Sequence, residues 1–453
     1  MEAAVSHEHN GSWQQLWKDI TAPLIATWIS VAALIWLFSP FLGASLIIIG
    51  TIILISCVSL RSAVLIFLLI LPFDLQRQIG SQWIYLDLLT LAIVLPLFKL
   101  SRWPGRLCWL FVPFFLYFVA TGAPRLLLPA WFWGYTIRWF IALCFSVAVA
   151  LSESPEGFVL ATGITLVPLT AYGLYQLLIG DLGWLFRWMN PHFLDSDWTA
   201  RSYSLMWHFN AFGDFAGMIA LMLFALGARG YRTALCYSLA AVGLVGVICS
   251  GSRGAEIGVA VAVLVALSQA PKFKRNLLVI SIVALLVWGV QSNLHVLPVE
   301  RVTELDDVTT EGRLLVWGAA YTVWQQNPWI GLGTTNFREF MPNLVDYPSA
   351  HAHDTYLQIL AENGLIGFTL FYVPLFYLLW RAWRARKIPI LFAGVCALVV
   401  WLIHGFVDFV LMDHPPCLLL FFMVIGLLVN GLQQQAQRLA HPAPTAEAFS
   451  SGS

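Results

Sequence analysis

Residues 388–407 read IPILFAGVCALVVWLIHGFV and follow the basic residues RARK at 384–387. The run contains no Asp, Glu, Lys or Arg. Its length suits a helix that crosses the hydrocarbon core of a bilayer, which takes about 20 apolar residues. Because basic residues mark the cytoplasmic end of a membrane helix, the stretch predicts a membrane-spanning helix that begins on the cytoplasmic side.

The composition of the whole chain agrees with this stretch. Hydrophobic residues make up 59% of the 453 residues and charged residues only 11%, which is too little charge for the surface of a soluble protein of this size. The formal net charge is zero, so the chain lacks the basic face of a nucleic-acid-binding protein. We predict an all-α, polytopic integral membrane protein with membrane lipid and no nucleic acid among its partners.

Apolar segments that are long enough, or nearly so, to cross a bilayer predict about 12 to 14 transmembrane helices. The shortest segment, 63–73, also fits a half-helix or a re-entrant piece. The segments lie at roughly 23–38, 41–60, 63–73, 83–99, 107–122, 129–151, 157–179, 205–227, 232–249, 253–270, 276–291, 364–382, 388–407 and 416–434.

The basic residues predict the orientation, since positive charge concentrates in cytoplasmic connections. Alternate connections carry Lys99, Arg102, Arg106, Arg229, Arg232, Lys272, Lys274, Arg275, Arg384, Arg386 and Lys387. The segment 292–363 belongs to the other set, and acidic residues outnumber basic ones within it. We therefore expect both termini on the cytoplasmic side, and the segments 180–204 and 292–363 on the far side of the membrane.

Two amphipathic stretches are predicted within this long outer segment. GRLLVWGAAYTVWQQNP, at 312–328, has Leu314, Trp317, Tyr321 and Trp324 at the spacing of one helix face. Such a helix would lie at the membrane interface with its tryptophans at headgroup depth.

The second stretch is HAHDTYLQILAENGLIG, at 351–367. A helix from residue 354 would have Asp354 as its N-cap and Glu362 on the same stripe as Asp354, with a bend at Gly364. His353 would then lie at the water–lipid boundary, where an imidazole can accept a proton from a hydroxyl. His353 is therefore a candidate catalytic base, with Asp354, Glu362 and His351 as supporting residues, and it also fits a structural histidine that only hydrogen-bonds its loop. We expect the His351 side chain to point elsewhere.

Three arginines on the outer side form a candidate anion site. Arg253 lies in CSGSRGAEIG at 249–258, at the start of a helix, where backbone N–H groups and a guanidinium favour an anion. Arg201 precedes another membrane helix, and Arg313 lies on the interfacial helix. Each alone fits a membrane anchor equally well, but the three together indicate a membrane-bound phosphate.

Other polar residues have open or structural interpretations. His208, His404 and His414 lie near helix ends, and we expect them to be structural. Asp87, Arg138, Asp214 and Glu256 lie in apolar runs and fit a proton path, a substrate channel or structural pairs. No HExxH, CxxC, P-loop or EF-hand pattern is present, so we predict no metal site and no cofactor.

These motifs, in this order, resemble the bacterial O-antigen ligase and polymerase superfamily over roughly residues 200–410. The resemblance rests on Arg201 with Asn210, on SRGAEIG, on GRLLVWGAAYTVWQQNPWIGLGTTNF, on His353-Asp354 followed by Gly364-x-x-Gly367, and on HGFVDF at 404–409.

The resemblance implies a glycosyltransferase of the bacterial inner membrane with its active site on the periplasmic face. Its donor would be a glycan on an undecaprenyl-diphosphate carrier, and its acceptor lipid A–core or another glycan. His353 would be the base, with Arg201, Arg253 and Arg313 binding the diphosphate in an inverting, metal-independent reaction. The alternatives are a protein O-oligosaccharyltransferase of the same superfamily and a non-enzymatic polysaccharide transporter or flippase.

Together, the patterns and the resemblance divide the chain into five parts. These are a cytoplasmic N-terminal segment (1–22), a transmembrane array (23–291), a periplasmic catalytic segment (292–363), C-terminal transmembrane helices (364–435) and a disordered cytoplasmic tail (436–453).

Overall fold

A computed structural model describes residues 76–79, 82–85, 105–122, 130–180, 201–206, 208–269, 308–341, 351–410 and 414–440, and a few single residues outside these ranges. The helices are α1 (Val112–Gly122), α2 (Ala130–Ala150), α3 (Pro155–Ile179), α4 (Phe209–Ala228), α5 (Thr233–Ser250), α6 (Arg253–Ser268), α7 (Val308–Gln326), α8 (Phe337–Phe340), α9 (Thr355–Arg384), α10 (Pro389–His404) and α11 (Pro415–Ala440). A 3₁₀ helix, Arg106–Trp109, precedes α1.

The prediction of an all-α polytopic membrane protein is confirmed, with one small exception. In the described part of the chain, α3, α4, α5, α9 and α11 are long and apolar enough to cross a membrane, and three shorter apolar helices cover 106–122, 134–150 and 389–404. The exception is an antiparallel hairpin of β1 (Gln76–Ile79) and β2 (Gln82–Tyr85). Strand β2 reaches into the predicted span 83–99. The predicted spans 23–38 and 276–291 lie outside the described residues, as do nearly all of 41–60 and 63–73.

Helix α4 lies among several of the described helices, and nearly all of its side chains are buried. It packs against α5, α6, α10 and α3. Gly217 lets α4 approach its neighbours, because a Cβ there would lie 2.8 Å from Cγ2 of Val259 on α6. Small residues at such contacts are typical of helix packing in membranes, where close approach supplies the dispersion energy.

The predicted features at both ends of the 354–363 helix are confirmed. Asp354 is the N-cap of α9, and its Oδ1 accepts a hydrogen bond of 2.8 Å from the Leu357 backbone N–H. The predicted bend lies at Gly364, where φ is 60° and ψ is −168°. A Cβ at Gly364 would lie 2.4 Å from the carbonyl oxygen of Trp329, so only glycine fits. We predict a boundary between the periplasmic segment (292–363) and the C-terminal transmembrane helices (364–435). In the structure this position is a kink inside helix α9.

The stretch predicted as an amphipathic helix, 312–328, lies largely in helix α7. Val316, Ala320 and Val323 are buried, in a small cluster with Phe337 on α8. Leu314 and Tyr321, expected on one apolar face with Trp317 and Trp324, are 59% and 47% exposed. The smaller side chains face the protein because α7 packs closely against α9, which leaves Leu314 and Tyr321 on the outside, whereas Trp317 and Trp324 are half-buried. The position of this helix at the membrane interface stays a prediction.

Candidate functional site

A cavity of about 150 Å³ lies where α4, α6 and α10 meet the loop before α9. The residues that line it come from five separate stretches of the chain. They are Arg201, His208, Phe209, Asn210, Gly251, Arg253, Gly254, Arg313, His353, His404 and Val407. The structure therefore brings together the predicted base and all three predicted anion-binding arginines.

His353 is paired with a carboxylate, Asp408, in the loop after α10. Nδ1 of His353 lies 3.0 Å from Oδ1 of Asp408. A carboxylate can only accept hydrogen bonds, so Nδ1 carries the proton and Nε2 is left with a lone pair. This is the tautomer that a general base needs, with a third group orienting the imidazole.

The Asp408 carboxylate is buried, and several donors hold it in its ionised form. Oδ1 accepts 2.8 Å from the Phe409 backbone N–H, and Oδ2 accepts from the side-chain amide of Asn210. Asn210 is itself fixed by Ser252, whose hydroxyl donates 2.8 Å to its Oδ1. Burial alone would raise the pKa of Asp408, but hydrogen bonds from His351 and His353 and the nearby imidazoles hold that pKa well below its usual range.

The loop that carries His353 is fixed from two sides. The Thr355 hydroxyl donates 2.8 Å to the Asp408 carbonyl, so the start of α9 is tied to the loop that holds the carboxylate. On the other side, Nε1–H of Trp317 on α7 donates 3.4 Å to the His353 carbonyl. His353 itself has a φ of +48°, a conformation that costs a non-glycine residue about 1–2 kcal/mol. Strained backbone of this kind is common at functional sites.

His351 does not point elsewhere, and that expectation is wrong. Its Nε2 lies 3.7 Å from Oδ1 of Asp408, and its ring centroid lies 4.3 Å from that of His353. The ligand atoms of His351, His353 and Asp408 lie within 4.8 Å of one another, close enough to hold a metal ion. Oδ1 of Asp408 already accepts from Nδ1 of His353 and the Phe409 backbone N–H, and Oδ2 accepts from the Asn210 amide, so a metal ion would compete with these donors.

The three arginines surround the cavity from different elements. Arg201 lies before α4, with its guanidinium carbon 4.3 Å from the centroid of the Phe209 ring. Arg253 is the first residue of α6, where the Ser252 side chain caps the helix, and Arg313 comes from α7. Guanidinium groups beside the amino end of a helix favour a bound anion.

The predicted supporting carboxylates do not line this cavity. Asp354 caps α9, and burial raises its pKa to about 6 against the opposing effect of backbone hydrogen bonds from Leu357 and Tyr356. Glu362 lies two turns further along α9, where its Oε1 accepts from the Phe337 backbone N–H at 3.3 Å. Both therefore hold the local fold that positions His353.

Sequence reasoning missed four residues of the site. Asp408 and Asn210 fall within or beside the motifs that carry the family resemblance, but neither was given a role. His404 and His208 were expected to be structural, yet both line the cavity. Burial lowers the pKa of His208 to about 3, so the ring is neutral, and its Nδ1 accepts from the Asn210 backbone N–H. The sequence pattern that could have indicated two of them is the close spacing of His404 and Asp408 in HGFVDF, at 404–409.

The fold and the cavity together define a polytopic membrane protein in which a paired imidazole and three arginines line one cavity. Residues 217–372 match the family described as O-Antigen ligase, which confirms the resemblance to the O-antigen ligase and polymerase superfamily. The matched segment includes Arg253, Arg313 and His353, whereas Arg201 and Asp408 lie outside it. No curated protein matches the chain.

Proposed function

We propose that this protein is an inverting membrane glycosyltransferase. It transfers a glycan from an undecaprenyl-diphosphate carrier to an acceptor hydroxyl on the periplasmic side of the bacterial inner membrane. One observation carries the proposal: His353, whose ring is paired with Asp408, lines a single cavity together with the arginines Arg201, Arg253 and Arg313. A base beside an anion site is what transfer of a sugar from a diphosphate to a hydroxyl requires.

The proposed reaction is a single displacement at the anomeric carbon. Nε2 of His353 takes the proton of the acceptor hydroxyl while that oxygen bonds to the anomeric carbon. The bond from that carbon to the diphosphate oxygen breaks with its electron pair, and the diphosphate leaves as an anion against the arginines. Attack from the face opposite the leaving group inverts the configuration. The developing charge falls on fixed guanidinium groups, so the step needs no metal.

The acceptor separates the members of this class, and a deletion strain distinguishes them. An O-antigen ligase transfers to lipid A–core, so its loss leaves free core and accumulated lipid-linked polymer. A polymerase transfers to another repeat unit, so its loss leaves core with a single repeat. The lipopolysaccharide banding pattern of the strain decides between the two. A normal pattern with an unglycosylated protein would favour a protein O-oligosaccharyltransferase.

A polysaccharide transporter or flippase is the non-enzymatic alternative. Such a protein is expected to hold its substrate near the middle of the membrane, whereas the cavity here lies at the ends of α4, α6 and α10. Purified protein with a lipid-linked donor tests the choice directly, because a transporter moves the glycan and forms no new glycosidic bond.

The proposed orientation has its own test. With 292–363 in the periplasm and both termini in the cytoplasm, a reporter fused at Val308 that works only in the cytoplasm should be silent. Reporter activity at that position would overturn the orientation and, with it, the periplasmic site.

A further inference from the structure

A second imidazole of the cavity, His404, has no part in the mechanism above. It ends α10 and is 1% exposed, and its Nδ1 lies 3.1 Å from Oδ1 of Asp214 on α4. Its other nitrogen, Nε2, has no hydrogen-bond partner within the described part of the chain, and the same holds for Oδ2 of Asp214. Buried polar atoms normally have partners because leaving them unpaired is costly. An orphaned nitrogen on a cavity-lining ring points to a ligand.

The surroundings of the His404 ring favour an anionic ligand. His404 lines the cavity with Arg253 and Gly254. A Cβ at Gly254 would lie 2.4 Å from Cδ2 and 3.0 Å from Nε2 of His404, so the edge of the ring that carries Nε2 lies against the first turn of α6. Backbone N–H groups and the positive end of the helix dipole favour negative charge at that place.

The pairing with Asp214 decides which nitrogen can donate to such a ligand. As a carboxylate, Asp214 can only accept, so Nδ1 carries a proton and Nε2 donates when the ring is protonated. The charged and titratable groups around the same cavity are Arg201, Arg253, Arg313, His208 and His353. The nearest carboxylates are Asp408, which pairs with His353, and Asp214, which balances the charge of a protonated His404; the three arginines remain to attract an anion.

We propose that His404, held and charge-balanced by Asp214, is a further phosphate-binding residue of this cavity. Nε2–H donates to a phosphoryl oxygen of the lipid-borne diphosphate, and no bond to His404 forms or breaks in the reaction. The inference rests on the proposed function and deepens it, because it adds a fourth side chain, beside the three arginines, that donates a hydrogen bond to the leaving group.

Two substitutions of the same residue separate ligand binding from structural support. His404→Gln places an amide N–H near the position of Nε2 and gives up the contact with Asp214. His404→Asn keeps a donor near the position of Nδ1, facing Asp214, and removes the group that faces the cavity. A structural role predicts that the asparagine variant is the milder of the two, whereas the proposed role predicts the reverse.

The assay is titration of inorganic pyrophosphate into the purified full-length protein by calorimetry. We expect His404→Asn to weaken binding by roughly 10- to 100-fold, the loss of one hydrogen bond to a charged group, and His404→Gln to stay within about threefold of the wild type. The reverse order, or wild-type binding in both variants, overturns the proposal. If both variants lose binding, Asp214→Asn decides: weakened binding there supports the charge-balanced imidazole, and wild-type binding overturns it.

Two further measurements are needed. The first distinguishes a failure of this inference from a failure of the proposed function, and the second distinguishes the undecaprenyl-diphosphate carrier from other lipids. Loss of pyrophosphate binding in Arg253→Ala, with both His404 variants unaffected, leaves the diphosphate site standing and removes only His404 from it. Absence of binding to the wild type overturns the diphosphate site itself. Displacement of pyrophosphate by undecaprenyl diphosphate, and not by phosphatidylglycerol, supports the carrier as the ligand. The opposite result assigns the site to a lipid headgroup and overturns the proposal.

Discussion

Asp408→Asn tests the proposed base more sharply than removal of the histidine, because it changes one charge and keeps the shape of the side chain. The oxygen of the new amide can still accept from the Phe409 backbone N–H. Its NH₂ group would then face the NH₂ group of Asn210, which must rotate to present its oxygen, with the Ser252 hydroxyl turning from donor to acceptor. The network can therefore re-form, and we expect the variant to fold.

The expected effect on turnover follows from the loss of the carboxylate beside Nδ1 of His353. An amide oxygen fixes the Nδ1–H tautomer less firmly and does not stabilise the imidazolium that forms as the acceptor loses its proton. Loss of general-base function typically costs about 10²–10⁴ in rate, and the equivalent change in a Ser-His-Asp triad costs about 10⁴. We expect kcat with a lipid-linked donor to fall by about 10²–10⁴, with donor binding retained.

The Asp408→Asn substitution should also lower the free energy of unfolding in a pH-dependent way. The folded-state pKa of Asp408 is lowered, so ionised Asp408 stabilises the fold above the unfolded pKa of about 4, and this contribution is lost as the pH falls through the folded pKa. Replacing charged hydrogen bonds with neutral ones should cost about 1–3 kcal/mol near neutral pH. The difference from wild type should shrink on acidification, as measured by thermal unfolding. Wild-type kcat in a correctly folded Asp408→Asn protein would refute the role of the pair.

Four other predictions can be checked in parallel. His353→Ala should lower turnover by about 10²–10⁴, whereas His351→Ala should cost much less; equal losses would mean that both rings act on the acceptor. Arg253→Lys should lose roughly tenfold in kcat/KM, because lysine cannot make a bidentate contact to phosphate, and full activity would remove this side chain from the anion site. Gly364→Ala should destabilise the protein by about 2 kcal/mol or more, whereas Gly134→Ala, where a Cβ meets nothing within 4 Å, should leave the melting temperature unchanged or raise it. Turnover should survive treatment with EDTA, and loss that is restored by a divalent cation would instead make the His351, His353 and Asp408 cluster a metal site.

The candidate site was predictable in part. Asp354 and Gly364 have local roles, an N-cap and a bend, and both were predicted from adjacent letters of the sequence. Arg201, Arg253 and Arg313 were predicted to form an anion site because they lie outside the basic cytoplasmic connections. That pattern carries no information about their distances from His353. Asp408 was missed because it lies 55 residues from His353, and no local pattern reports a contact across that separation.

The sequence by itself determined the membrane environment of this protein and the position of most helices in the described part of the chain. Its apolar content leaves too little charge for a water-facing surface, and in lipid a single chain segment must satisfy its own backbone hydrogen bonds, which selects helices. Tertiary structure decided which side chains meet. The packing of α4 against α6 and α10 brings Asn210, Ser252 and Asp408 into one hydrogen-bonded chain. It also buries Asp214 beside His404, because a charged group that cannot reach water is stable only where another helix supplies its partner.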